Sequence, residues 1–534
     1  MSHHFCHSLS DSLSRLDDDS LLELFEHVNT YGGLHSLSLT CKWAREVCKP
    51  ILFRRCRWAP GYAFNSPHSI PETIWPYVRS ISIHGNFHLL KYESNYYPYT
   101  PVGYDVVYAP LTTSLCRLPR LHTLTIGSTV GGVPWEAINA AVQVPQLRNL
   151  RISGFLDHRD ILPAKTEQSL RLPVHSLATI DYPSSGYRKV SATEIKIFSV
   201  LLHQVTFQRS LEALSVPSEC MSLDYLSTTQ FPRLRELALI GRRQHSDGQQ
   251  DVPYISILAN MPRLRKLALT FSQPIGLPRQ QIWPVDMAAE FPCPDLEDLS
   301  VSYPHPDDEF YAHLPPTLRR LTLRCWPRHY LHLLEHDRRH MTAKYGWYSP
   351  ILSSSEMLRI LRRCPSRNIR RLEVEFEEDH SGRDLFFYIS EAFPQLEYVV
   401  IHRYRPVGGV EVTSVATLAQ ALAPLRRLRI LLCNLDFEDA PDPFGDDFAP
   451  FINRLQDVAS ILASSLSPSV EIIGLLLRHG MLTPYEYFRP IRDGRNGPRA
   501  RHDKYVYKTH GMPYVIVIVH RREIVPHDPV IQFG

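Results

Sequence analysis

The chain has 534 residues, of which 44% are apolar and 21% charged, a balance typical of globular proteins. Its net charge of +3 is too small to indicate a nucleic-acid-binding protein, and no apolar run of about 18 residues predicts a membrane span. Ten cysteines occur singly, without a C-x-x-C pair, which favours buried thiols in a reducing compartment over zinc or redox sites. No basic-then-apolar leader opens the chain, so we expect a cytoplasmic or nuclear protein.

Residues 1–13 are predicted to be disordered, and a first helix follows them. The segment "LLELFEHV" (21–28) repeats its apolar residues at helical spacing, with three aspartates (17–19) at the end that favours negative charge. Ser20 and Glu23 fit a capping box at the start of this helix.

A second amphipathic stretch, "LHSLSLTCKWAREVC" (34–48), predicts further helix with a break near Thr40 and an end at Pro50. Three short helices make a core too small to fold unaided. This segment therefore needs either its neighbouring domain or a partner.

A short phrase with the core L-x-x-L-x-L recurs along most of the remaining chain, as in "LPRLHTLTI" (118–126), "FPRLRELAL" (231–239) and "FPQLEYVVI" (393–401). We call the first apolar residue of this core the anchor. Most copies lie 22 to 34 residues apart. The thirteen anchors are Val78, Leu121, Leu147, Leu177, Leu211, Leu234, Leu264, Leu296, Leu318, Ile369, Leu396, Leu425 and Val470.

Nine of these copies carry a proline two residues before the anchor, and helix-like stretches such as "WEAINAAVQV" and "VATLAQALA" often lie upstream. Because proline cannot continue a helix, it separates the helix from a short strand of alternating apolar residues. Neither element buries its apolar face alone, so stacked copies must supply the core.

In these features residues 76–475 resemble the leucine-rich repeats. The family's asparagine or cysteine three residues after the last strand leucine is present only as Cys433. We therefore predict an α/β fold, an irregular leucine-rich-repeat solenoid preceded by a small all-α unit. The alternative is a doubly wound α/β domain with coincidentally similar strands.

We divide the chain into a disordered N-terminus (1–13), a helical domain (14–58), a repeat solenoid (59–475) and a basic C-terminal segment (476–534) with a terminal strand at 513–519. Three long insertions are expected within the solenoid, at about 84–117, 327–366 and 433–467.

In order and spacing, residues 16–58 resemble an F-box, the adaptor-binding module of SCF-type ubiquitin ligases. Asp17 stands where the family keeps a proline, and Ser20 replaces an apolar residue. The resemblance implies that this segment binds a Skp-family adaptor and, through it, a cullin. The residues it implies for adaptor binding are Leu16, Leu21, Leu24, Phe25, Val28, Leu34, Leu37, Cys41, Trp43, Leu52 and Phe53. The alternative is an amphipathic helical cap on the repeats.

The residues two, four and six places after each anchor point away from the core, and we call them the strand face. In the early repeats they are small or neutral, and towards the C-terminus they become charged or aromatic. We predict that the last repeats recognise an unknown protein with acidic groups, because arginine and tyrosine are enriched at binding hot spots. The alternative is a solvated strand face. The predicted substrate-binding residues are Arg320, Arg324, Arg371, Glu373, Glu375, Tyr398, His402, Arg427 and Arg429.

Two other patterns suggest different functions. "HLLEH" (332–336) matches a zinc-peptidase motif through His332, Glu335 and His336, but a chain with 26 histidines produces such a match by chance. The basic, tyrosine-containing stretch 489–522 could contact RNA, and a basic loop before the terminal strand is the simpler interpretation.

Together these features predict a non-catalytic substrate receptor of an SCF-type E3 ubiquitin ligase, with no metal and no cofactor. One alternative is an interaction scaffold whose degenerate F-box has no ligase role. A remote alternative is a zinc hydrolase built on the "HLLEH" segment.

Overall fold

The structure, a computed structural model, describes most of the chain and divides into two compact units. Unit 1 comprises residues 1–185, 190–216 and 524–534, and unit 2 comprises residues 186–189 and 217–523. The described residues are 18–30, 33–58, 70–85, 105–128, 133, 135–154, 156, 177–182, 189–244, 252–285, 287, 290–333, 346–406, 412–443, 445, 447–478, 485–492, 499–502 and 531–533.

Unit 1 begins with three helices, α1 (Asp18–Thr30), α2 (Gly33–Ser38) and α3 (Lys42–Leu52). They share a small apolar core of Leu21, Phe25, Leu34, Cys48 and Ile51. Two details of the sequence-based prediction are wrong. Helix α1 begins at Asp18, which places Ser20 inside the first turn, and α3 continues through Pro50 to Leu52. Pro50 lies in the last turn of α3, where it removes the N–H that would otherwise donate to the carbonyl oxygen of Glu46, and the helix ends two residues later.

The break between α2 and α3 occurs where the sequence placed it. Thr40 lies in the turn, and Cys41 caps α3 by accepting a hydrogen bond from the Ala44 N–H at its Sγ, 3.4 Å away. A cysteine is an unusual cap, and it works because its sulfur occupies the place of the usual side-chain oxygen.

The rest of unit 1 alternates helices with parallel strands. Each strand pairs with the next along the chain, and a short C-terminal strand pairs with the first. The strands are β1 (Arg55–Trp58), β2 (Ser80–Gly85), β3 (Thr123–Ser128), β4 (Asn149–Ser153), β5 (Thr179–Asp181), β6 (Ala213–Pro217) and β19 (Ile531–Phe533). The helices are α4 (Asp105–Cys116), α5 (Trp135–Val142), α6 (Ala192–Leu202) and α7 (Val205–Ser210), with a 3-10 helix at Glu72–Tyr77.

Unit 2 repeats this plan, and its strands range from two to nine residues. Its strands are β7 (Glu236–Arg242), β8 (Lys266–Pro274), β9 (Asp298–Ser302), β10 (Arg320–Arg324), β11 (Trp347–Tyr348), β12 (Leu352–Ser353), β13 (Arg371–Glu377), β14 (Tyr398–Tyr404), β15 (Ile430–Asn434), β16 (Ile472–Leu476), β17 (Tyr485–Ile491) and β18 (Arg499–His502). Its helices are α8 (Leu223–Thr228), α9 (Tyr254–Leu258), α10 (Tyr330–Leu333), α11 (Ser354–Arg363), α12 (Gly382–Ala392), α13 (Val415–Leu422) and α14 (Ala449–Ser465), with 3-10 helices at Ser218–Cys220 and Glu309–His313.

The strands of unit 2 are parallel from β7 to β10 and from β13 to β16, and β10 pairs directly with β13. The chain then reverses, so that β17 and β18 add to the sheet in antiparallel fashion. Each of the three long insertions predicted from the sequence contains a helix: α4 in the first, α11 in the second and α14 in the third.

A repeated hydrogen-bond pattern fixes where each strand begins. The N–H groups of Arg148 and Asn149 both donate to the carbonyl oxygen of His122, at 2.9 and 2.8 Å. In unit 2, Arg370 and Arg371 donate in the same way to Arg319, at 2.8 and 3.0 Å. The residue directly after each anchor therefore lies beside its counterpart in the next repeat, and we call this set the rim row.

The anchors and the two apolar residues that follow them are buried, as the motif predicts, for example Leu121, Leu124 and Ile126. One predicted anchor, Leu425, is wrong. The strand in that repeat begins at Ile430, so Leu428 holds the anchor position and Leu425 lies three residues before it. The arginine-rich spelling "LRRLRIL" offers two overlapping L-x-x-L pairs, and only pairing with β14 selects one of them.

The predicted fold class is confirmed: both units are built from leucine-rich repeats, α/β modules with mainly parallel strands. The predicted terminal strand 513–519 lies outside the described residues. Among the described helices, none has the length and apolar character needed to cross a membrane. Seven of the nine described cysteines are buried.

Candidate interaction surfaces

The residues implied for adaptor binding fall into two groups. Leu21, Phe25 and Leu34 lie in the core of the N-terminal helices, and Val28, Leu37, Trp43 and Leu52 pack against it while half-buried. Cys41 caps α3, Phe53 ends it, and Leu16 lies outside the described residues. By contrast, Leu24 is 38% exposed, and Leu39, which is not among the residues implied for adaptor binding, is 63% exposed.

The strand face of the last repeats does not face solvent as predicted. Val400, Leu432 and Ile472 occupy strand-face positions on β14, β15 and β16, and they are buried together with Tyr485 and Tyr487 of β17. Gly474 makes this packing possible, because a Cβ there would lie 2.5 Å from Leu432 and 3.3 Å from Tyr487. The C-terminal repeats thus carry a second apolar layer on the face that was expected to bind substrate.

Beside this layer, the segment that follows β10 supplies a buried ionic cluster. Arg328 donates to Glu373 and, at 2.9 Å, to Glu375, and both carboxylates belong to β13. Glu375 also accepts hydrogen bonds from the N–H groups of Cys325 and His329 and from the Tyr404 hydroxyl, at 2.8 to 3.0 Å. So many donors compensate the cost of burying this carboxylate.

The charges in this cluster set the protonation of its members. Burial by itself would raise the pKa of Glu373, but the guanidinium groups of Arg328 and Arg324 outweigh it and lower the pKa to about 2. The pKa of Glu375 is lowered against burial in the same way, first by Arg328. Both carboxylates are therefore ionised at neutral pH and neutralised from within the fold.

His402 lies next to the cluster and is buried. Burial lowers its pKa to about 4, and the neighbouring Arg328 adds to this effect. Its Nε2 is 2.9 Å from the Tyr485 hydroxyl, and its Nδ1 has no hydrogen-bond partner among the described residues. A neutral imidazole thus joins β14 to the returning strand β17.

The prediction that Glu373, Glu375 and His402 contact a substrate is therefore wrong, because the fold buries all three. Arg324 lies 4.0 Å from Glu373, so replacing it with glutamate would disturb this cluster instead of testing substrate capture. Arg371 is half-buried, and its guanidinium stacks 4.2 Å from the centre of the Tyr398 ring.

Arg320 remains exposed and pairs with Asp298 on the neighbouring strand, at 3.2 Å. Arg427 and Arg429 are exposed but do not lie on the strand face, because the anchor of their repeat is Leu428. Arg429 belongs to the rim row and forms a two-point ion pair with Glu471, whose shorter distance is 2.8 Å.

Sequence reasoning missed Arg328, Tyr404 and Tyr485, which come from three separate segments of unit 2. A signal for a covered face was nevertheless present. The strand-face residues Val400, Leu432 and Ile472 are apolar, whereas a solvated face would favour polar residues at those positions.

Unit 1 presents a different strand face. Its positions four places after each anchor are Ser82, Thr125, Arg151, Asp181 and Ser215, all half-buried or exposed. Arg151 and Asp181 pair on adjacent strands at 3.3 Å. The face is therefore polar and accessible, with mostly small side chains.

The zinc-peptidase pattern gains no support. Helix α10 contains His332, but Glu335 and His336 lie outside the described residues. Within the part of the chain that the structure describes, no group of three or more histidine, cysteine, aspartate or glutamate residues is placed to hold a metal ion.

No known protein-family model and no curated protein matches this sequence. Among solved structures, the chain is similar to the internalin InlF of Listeria monocytogenes, with 12% identity and a TM-score of 0.34 over 76% of this chain and 94% of that one. It is also similar to the leucine-rich-repeat protein LegL7 of Legionella pneumophila, with 12% identity and a TM-score of 0.25 over 79% and 91%. A third similar structure is TLR13 in complex with ssRNA13, with 13% identity and a TM-score of 0.29 over 74% and 55%. The assignment of leucine-rich repeats rests on the strand register and buried anchors of this chain.

Proposed function

We propose that this protein is a non-catalytic substrate receptor of an SCF-type ubiquitin ligase, acting in the cytoplasm or nucleus. The N-terminal helices bind a Skp-family adaptor and, through it, a cullin, and the leucine-rich repeats hold a protein destined for degradation. The observation that supports this proposal is the helical unit itself. The three helices bury an apolar core of their own, whereas Leu24 and Leu39 lie exposed on their surface. Exposed leucines of this kind are expected where a partner covers the surface.

In this role the chain needs no nucleophile or metal of its own. It brings a substrate lysine close to a ubiquitin thioester carried by another subunit, so its contribution is a high effective concentration. Purified protein without the ligase subunits is expected to transfer no ubiquitin.

The test is binding of the full chain to a purified Skp-family adaptor, measured by co-elution in gel filtration and by calorimetry. Replacing Leu24 and Leu39 with aspartate should weaken binding at least about tenfold, because hot-spot residues at an interface centre carry about 2 kcal/mol or more each. The matched control replaces Ile275 and Val285, exposed apolar residues of unit 2, with aspartate, and it should bind the adaptor normally.

The second candidate is an interaction scaffold without a ligase role. It is favoured by Asp17 and Ser20, which depart from the F-box pattern. Failure of the wild-type chain to bind the adaptor, with the protein folded, would select this alternative. Zinc in the purified protein, detected by elemental analysis, would instead revive the hydrolase interpretation.

A further inference from the structure

A groove lies over helix α11 on the helical side of unit 2. It has a volume of about 640 Å³ and is lined by Ser355, Glu356, Leu358, Arg359, Arg362, Arg363 and Ser381. All but one of these residues belong to α11, and Ser381 directly precedes α12. The groove therefore lies beside the start of α12. Three of its seven lining residues are arginines.

The arginines occupy neighbouring places on α11. Arg359 lies three and four residues before Arg362 and Arg363, and residues at this spacing have their Cβ atoms about 5–6 Å apart on a helix. Arg359 and Arg362 are exposed, and Arg363 is half-buried. Guanidinium groups bind phosphate and carboxylate groups at two points, so this arrangement is suited to an anion.

The carboxylates around the groove are engaged within the fold. Glu356 pairs with Arg279 at 2.9 Å. Asp379, which lies between the starts of α11 and α12, accepts hydrogen bonds from the Ser355 hydroxyl at 2.5 Å and from the Ser381 N–H at 2.9 Å. These two acidic groups therefore have partners other than the three arginines.

Arg362 is the arginine that lacks a carboxylate. Its guanidinium lies 5.8 Å from the centre of the Tyr388 ring of α12, and it forms no ion pair within the described part of the chain. The aromatic ring holds the guanidinium in place without neutralising it. An ordered arginine with no counter-charge thus lines the groove.

The other two arginines are paired to different degrees. Arg363 forms a close ion pair with Glu309, in which about a quarter of each side chain is exposed. Arg359 lies 3.4 Å from Asp307, and more than half of each side chain is exposed. Exposed ion pairs of this kind contribute little, so an incoming anion can replace Asp307 as the partner of Arg359.

We propose that this groove binds a phosphate monoester through Arg359 and Arg362. Such a group carries between about 1.5 and 2 negative charges at pH 7 and has three strong acceptor oxygens. The two guanidinium groups match both its charge and its oxygens. A carboxylate carries one charge on two oxygens, so a single guanidinium satisfies it.

The phosphate belongs either to a small molecule or to a phosphorylated side chain of a bound protein, and both present the same group. The groove volume of about 640 Å³ is typical of small-molecule sites, so it holds more than a phosphate alone. The site involves none of the N-terminal helices and does not depend on the proposed ligase role.

The experiment titrates the full chain by calorimetry at fixed, low ionic strength. The probes are glycerol phosphate, a glycine–serine hexapeptide with one phosphoserine, the same peptide without phosphate, and acetate. Both phosphate probes should bind at least about tenfold more tightly than acetate, and the unmodified peptide should not bind. Tighter binding of the phosphopeptide than of glycerol phosphate assigns the site to a protein side chain, and any other order assigns it to a small molecule.

Three variants test the residues. Arg362→Gln should weaken phosphate binding by about fivefold or more, and adding Arg359→Gln should weaken it further. Asp307→Asn should instead tighten binding by about twofold or more, because it frees Arg359. The matched control is Arg454→Gln, since Arg454 also stacks on an aromatic ring, that of Phe437 at 4.9 Å, but does not line the groove.

Arg454→Gln should bind the phosphate probes within about twofold of wild type. Thermal unfolding of each variant establishes that it is folded. The proposal fails if neither phosphate probe binds, if acetate binds as tightly, if Arg454→Gln loses as much as Arg362→Gln, or if Asp307→Asn weakens binding. Adaptor binding of the same samples is independent of these outcomes, so failure here is distinguishable from failure of the proposed function.

Discussion

Four places after the anchor, unit 1 has Ser82, Thr125 and Arg151, and the last repeats of unit 2 have Glu373, Val400 and Leu432. The first three side chains are accessible to solvent, and the second three are buried. Both sets belong to the same L-x-x-L-x-L motif and the same parallel register. A single repeat motif thus supports an open strand face in one unit and a covered one in the other.

The difference comes from other segments of the chain. In unit 2, Arg328 from the insertion after β10 and Tyr485 from the returning strand β17 cover the strand face of the last repeats. We therefore expect the C-terminal half of unit 2 to stabilise the fold and unit 1 to offer the accessible binding surface.

The strongest test of this contrast compares two arginines that pair with carboxylates. Replacing Arg328 with alanine leaves Glu373 and Glu375 buried without their main partner and should cost roughly 3–5 kcal/mol of unfolding free energy. Replacing Arg151, whose pair with Asp181 is exposed, should cost less than about 1 kcal/mol. Urea unfolding followed by circular dichroism measures both. Similar small losses would mean that the ionic cluster does not hold the covered face together.

The next prediction concerns the pH dependence of stability, to which buried groups of unit 2 should contribute. His402 has a folded-state pKa of about 4, below its unfolded value, so only the unfolded chain binds its proton between these values. The stabilisation is complete above pH about 6.5 and is lost as the pH falls towards 4, by an amount on the order of 3 kcal/mol. The carboxylate of Glu373, with its pKa of about 2, contributes a separate loss below pH about 4.5.

Among the described residues, the titratable and charged groups near His402 include Arg328, Arg324, Glu373, Glu375, Tyr485 and Tyr330. The urea midpoint of wild type should therefore fall between pH 6.5 and 4 more steeply than that of His402→Gln, which has no proton to gain. Parallel slopes for the two proteins would show that His402 is not the group responsible.

Gly474 provides a smaller steric test. A Cβ at this position meets Leu432 at 2.5 Å, so Gly474→Ala should destabilise by about 1 to 3 kcal/mol. Ser82→Ala, at the equivalent position in unit 1, should change stability by less than about 0.5 kcal/mol. Adding Leu432→Ala to Gly474→Ala should give a loss smaller than the sum of the two single losses, because both changes act on one contact. If the two losses of stability simply add, Gly474 and Leu432 do not act through a shared contact.

Much of the fold could be read from the sequence because its signals are local. Alternating leucines such as Leu121, Leu124 and Ile126, with a proline before them, predict a buried strand after a helix, and the structure confirms it. The predicted strand register is wrong only around Leu425 and Leu428, where two overlapping copies of the L-x-x-L spacing are present. Pairing with the neighbouring strand decided between them.

The candidate sites were harder to predict because exposure is not a local property. Glu373 and His402 occupy positions that a bare strand would present to solvent, and segments distant in the chain cover them.

The sequence by itself determined the repeat, since hydrophobic periodicity and proline placement act within a few residues of each other. It also determined that the N-terminal segment forms small amphipathic helices. Tertiary structure alone decided which strand faces remain open, because burial depends on what other segments pack there and on whether each buried charge finds a partner. It likewise decided where like charges accumulate, because neighbours across parallel strands are set by register.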